Sequence, residues 1–286
     1  MQATPQHEHV FEPVVRLTAM WKRGGAWLGP AWAVLCGIVA SSAFTWAGNA
    51  VISMLVALII AEGLWTTLWA ALAETDWAAP FNRWRAWEEG EPVRKLPYTQ
   101  PGSAAEHMAV LLGQFRAWAQ HDLLPNYGNS LASALIAPAV AVVLSVLLGA
   151  PVVILTILAI TLSQLATLLC RCDGEPSPVL RGAVEITLPV LLGFVLFKPL
   201  TPEVVVLAIG FGVAYGGAAA SKWNTRLWNL GQMLVLVLLI LTRHSVGAFV
   251  VALLWLPQFL LQSQPSARRA QFWLMAAMIV AAVTLA

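Results

Sequence analysis

Residues 130–170 read SLASALIAPAVAVVLSVLLGAPVVILTILAITLSQLATLLC, without one Asp, Glu, Lys, Arg or His. The apolar residues are continuous rather than alternating, which predicts helix rather than barrel strand. A helix needs about 20 apolar residues to cross a hydrocarbon core of roughly 30 Å. The stretch is long enough to cross twice, over 129–149 and 151–170, turning near Gly149 and Ala150. Working outward, comparable runs lie at 26–46 and 49–73 before it, and at 182–199, 202–221, 226–242, 245–262 and 270–286 after it. The expected fold is therefore an all-α integral membrane bundle of nine spans. It forms one membrane domain over 1–286, with spans in 26–73 and 129–286, a polar leading segment at 1–25 and a polar connection at 74–128.

Composition agrees. Of the 286 residues, 59% are hydrophobic and 10% charged, against about 25% charged in a soluble domain. A chain this apolar cannot coat a water-soluble globule and must meet lipid. The net charge of +2 gives no reason to expect a nucleic-acid partner. Residues 1–25 carry Glu8, Glu12, Arg16, Lys22 and Arg23 and do not read as a cleavable signal peptide. Cys36 sits in an apolar run, and Cys170 and Cys172 form a C-x-C pair without structural-zinc spacing.

The basic residues set the expected topology. If loops are assigned alternately to two sides, 14 of the 16 Lys and Arg fall on the side of the N-terminus, because only Lys198 and Arg243 fall on the other. By the positive-inside rule that first side is cytoplasmic, and the C-terminus lies on the opposite face of an inner membrane. The second half of the long connection, Ser103 to Asp122, spaces Met108, Leu111, Leu112, Phe115 and Trp118 as on one helix face. It reads as a helix lying on or capping the bundle. Trp77, Trp84 and Trp87 are expected at interface depth.

Within the spans few residues ionise. Glu62 lies about three turns before the end of the second span, and Glu185 lies in the first turn of the fifth, one turn after Arg181. An ionisable group in lipid is costly and marks either a functional site or a helix–helix contact. For Glu185 an ion pair with Arg181 is the expected arrangement. His107, His121 and His244 are scattered, and no Ser-His-Asp order, HExxH or phosphate-binding glycine loop is present. Gly210, Gly212, Gly216 and Gly217 of the sixth span read as a close-packing face.

Several short segments carry a resemblance. Trp27-Leu28-Gly29-Pro30-Ala31-Trp32-Ala33 with Cys36-Gly37, Thr75-Asp76-Trp77, Glu91-Pro92-Val93-Arg94-Lys95-Leu96-Pro97, Gly182-Ala183-Val184 with Leu188-Pro189, and Ala267-Arg268-Arg269 are spread over nearly the whole chain. In these segments the chain resembles the UbiA superfamily of intramembrane prenyltransferases, and within it the (bacterio)chlorophyll synthases. The resemblance implies nine helices around a cavity for an isoprenoid. In that family two aspartate-rich motifs hold magnesium on a prenyl diphosphate, and the metal helps the diphosphate depart.

Here both motifs are altered. Asp76 stands at the family's first aspartate, but Ala79 and Arg83 stand where the next two belong. Residues 220–226, where the second motif is expected, contain no carboxylate. The resemblance thus implies a relative that binds an isoprenoid, a (bacterio)chlorophyll-type pigment or a subunit of a photosynthetic membrane complex without catalysing transfer. Its candidate ligand-binding residues are Asp76, Asn82, Arg83, Arg94, Lys95, Lys222 and Arg226. Two other readings stand beside it. One is an active prenyltransferase with an isoprenoid chain passed to a chlorophyllide or quinone precursor, in which Asp76 binds magnesium with help from Glu74, Glu88 or Glu89. The other is a small-solute transporter, for which Glu62 is the one deep charge.

Overall fold

The computed structural model describes residues 29–85, 87–90, 102–173, 176–220, 224–260 and 267–286. All regular structure among these residues is helical. In chain order the helices are α1 (Pro30–Ser41), α2 (Gly48–Leu58, continuing through Ile59–Trp65 and Thr66–Ala73), α3 (Ala78–Arg85), α4 (Ala104–Leu148), α5 (Ala150–Asp173), α6 (Pro178–Val195), α7 (Pro202–Ala219), α8 (Thr225–Leu241), α9 (Ser245–Leu260) and α10 (Ala267–Leu285). Five helical stretches, beginning at Gly48, Ala104, Ala150, Pro178 and Pro202, are long and apolar enough to cross a membrane. Four shorter apolar helices accompany them: Pro30–Ser41, Thr225–Leu241, Ser245–Pro257 and Gln271–Leu285. The chain is a multi-pass α-helical membrane protein.

The helix starts follow local chemistry. Pro30, Pro178 and Pro202 occupy first-turn positions, where a missing N–H costs no hydrogen bond. Ser103 caps α4, its hydroxyl accepting from the Glu106 N–H at 3.3 Å. Asn224 caps α8 by accepting from the Leu227 N–H at 3.2 Å. Between α4 and α5 the chain reverses at Gly149, whose φ of +110° is strained for any residue with a side chain.

Packing rests on close backbone approach. A Cβ on Gly37 would sit on the Val190 carbonyl, and one on Gly193 would sit on the Val34 carbonyl. The two glycines thus let α1 and α6 cross in direct backbone contact. Further large apolar side chains fill the interior, Trp65, Trp69, Trp228, Phe194 and Phe211 among them. Leu135, Val143, Leu147, Ile154, Leu168, Leu241, Val246 and Phe249 point outward and are exposed. A surface of that kind suits lipid rather than water.

One element differs from the sequence reading. No break separates the connection's helix from the third span: Ala104–Leu148 is one helical stretch of 45 residues. At 1.5 Å per residue it is about 68 Å long, more than twice a hydrocarbon core of roughly 30 Å. A stretch of that length exceeds a single crossing. In its first turns Met108, Leu111, Leu112 and Phe115 are exposed, whereas Trp118 is buried.

Candidate functional site: a polar cluster among apolar helices

Three wide, π-type turns interrupt the helices among the described residues: Ile59–Trp65, Ala119–Leu123 and Ala183–Thr187. Each contains one carboxylate, respectively Glu62, Asp122 and Glu185. A π turn shifts side chains out of the regular helical register and recurs at functional sites. It also loosens the i−4 carbonyls. In α2 the hydroxyls of Thr66 and Thr67 donate to the carbonyls of Glu62 and Gly63, so backbone acceptors in the apolar interior keep partners.

One of these carboxylates, Glu185, centres a polar cluster. The Arg181 Nε–H donates to Glu185 Oε1 at 3.0 Å, one helical turn away. An Arg181 terminal nitrogen lies 3.5 Å from Glu74 Oε1 at the end of α2. The Tyr215 hydroxyl of α7 donates to Glu185 Oε2. Glu62 lies within electrostatic reach of Tyr215, and its own Oε2 accepts from the Ala31 N–H at 3.1 Å. Gly29, the residue before α1, offers no side-chain cap. Glu62 therefore stabilises the α1 N-terminus from a neighbouring helix, where a carboxylate suits the positive end of the helix dipole.

Solvent access falls along the cluster. Side-chain exposure is 38% at Glu74, 24% at Arg181 and 10% at Glu185. The cluster thus runs inward from the solvent-accessible end of the bundle where α2 stops and α6 starts. Glu185 is about 10 Å inside α6 from Pro178 at 1.5 Å per residue. Each oxygen of Glu185 has a partner, the condition under which a buried charge is tolerated. Chemically, the cluster is a set of carboxylate oxygens, one guanidinium and one phenol engaged with one another.

The third π turn holds a separate pair. Arg83 of α3 makes a 3.0 Å ion pair with Asp122 Oδ1, while its second terminal nitrogen donates to the Tyr127 hydroxyl at 2.9 Å. Asn126 also donates to Asp122 Oδ1, at 3.1 Å. Trp84 packs against Phe115 and Trp118, with ring centroids 5.8 and 5.3 Å apart. Together these contacts fasten α3 to the long helix α4.

The ligand-binding candidates from the sequence fall into three groups. Arg83 has both terminal nitrogens engaged, so it acts as a strut between helices. Asp76 is exposed, and its Oδ1 accepts from the N–H groups of Ala78 and Ala79 at 3.0 and 3.3 Å, which makes it the cap of α3. Asn82 and Arg226 are exposed on α3 and at the start of α8. Arg94, Lys95 and Lys222 lie outside the described residues. Asp122 and Tyr215 escaped the sequence reading. Tyr215 sits among glycines and alanines like a packing residue, and Asp122 ends an apparently solvated helix.

A magnesium site of the kind the resemblance implies does not fit these residues. Asp76 spends one oxygen on helix N–H groups, and a cationic Arg83 stands where a further carboxylate is needed. Among the described residues no three His, Cys, Asp or Glu side chains are grouped to hold a metal.

No family model, no curated protein and no solved structure matches the chain.

Proposed function

We propose that the chain is a UbiA-like, nine-span membrane protein of the (bacterio)chlorophyll-synthase branch that binds an isoprenoid or pigment without transferring a prenyl chain. In this reading it is an accessory or assembly subunit of a photosynthetic membrane complex. The N-terminus lies in the cytoplasm, and the cluster of Glu74, Arg181, Glu185 and Tyr215 lies toward that side. The five long and four shorter apolar helices support nine crossings. The observation that carries the non-catalytic half is the use made of Asp76 and Arg83. The first caps a helix and the second is tied to Asp122 and Tyr127, so neither is disposed to hold metal on a diphosphate.

The test is to purify the chain from a membrane that makes both compound classes and to analyse the extracted lipids by mass spectrometry. A stoichiometric isoprenoid or tetrapyrrole pigment, retained in chelator and in the Asp76→Ala variant, is the expected result. Bulk phospholipid alone, or a ligand released by chelator, contradicts the reading.

A further inference from the structure

We draw no further inference here: the strongest candidate, the apolar face that Met108, Leu111, Leu112 and Phe115 expose on the first turns of α4, carries nothing because nothing in the structure shows what covers it.

Discussion

Tyr215 and Arg181 hold the same carboxylate, and their removal has different consequences. Tyr215→Phe deletes one donor to Glu185, while the Arg181 pair remains. A loss of about 1–2 kcal/mol is expected, read as a modest fall in melting temperature in detergent. Arg181→Met leaves Glu185 enclosed with only the tyrosine, and removal of one partner of a buried pair costs about 3–5 kcal/mol. Arg181 is a quarter exposed, so water screens the remainder and a loss nearer 2–3 kcal/mol is expected. The double change Arg181→Met with Glu185→Gln should recover most of it. Equal losses in both single variants would contradict the cluster as drawn. The Arg181–Glu185 pair was legible in sequence, since the one-turn spacing suffices. Tyr215 was not, because its partner comes from a helix thirty residues away and no local pattern carries that contact.

At the scale of elements, the long helix α4 and the short helix α3 are joined through Arg83 and Asp122. Asp122→Ala leaves Arg83, whose side chain is 46% exposed, free to turn to water. The expected result is a small loss of global stability with faster proteolysis or hydrogen exchange in α3 alone. Unchanged protection of α3 would count against the strut. Continuity of Ala104–Leu148 is a second prediction. Spin labels at exposed His107 and exposed Leu147, 40 positions apart, should lie about 60 Å apart, whereas a helix folded back onto the bundle would bring them far closer. The apolar face of this helix was visible in its spacing, yet its destination was not. Periodicity reports that one face is apolar, and an extension of a span satisfies that pattern as well as a cap does. The π turns were equally hidden, because a single extra residue per turn leaves the apolar runs of α2 and α6 continuous in sequence.

For the whole molecule, the membrane character was decided by composition and by uncharged runs such as 130–170, and the structure supplies apolar helices there. The backbone contact of α1 with α6 sets the architecture, so Gly37→Val, with its side chain on the Val190 carbonyl, should abolish accumulation of folded protein. A folded, stable variant would contradict that crossing. The candidate site was only half legible, since motifs compare residues position by position, whereas the Arg83–Asp122 pair and the Tyr215–Glu185 hydrogen bond depend on which helices meet. The central claim is that a UbiA-like bundle binds without transferring. The direct measurement is incubation of the purified protein with magnesium, geranylgeranyl diphosphate and a chlorophyllide acceptor, with Asp76→Ala in parallel. No esterified product from either protein, with isoprenoid or pigment bound to both, is the predicted result. Product from wild type that disappears in Asp76→Ala would contradict it and make Asp76 part of a working metal site.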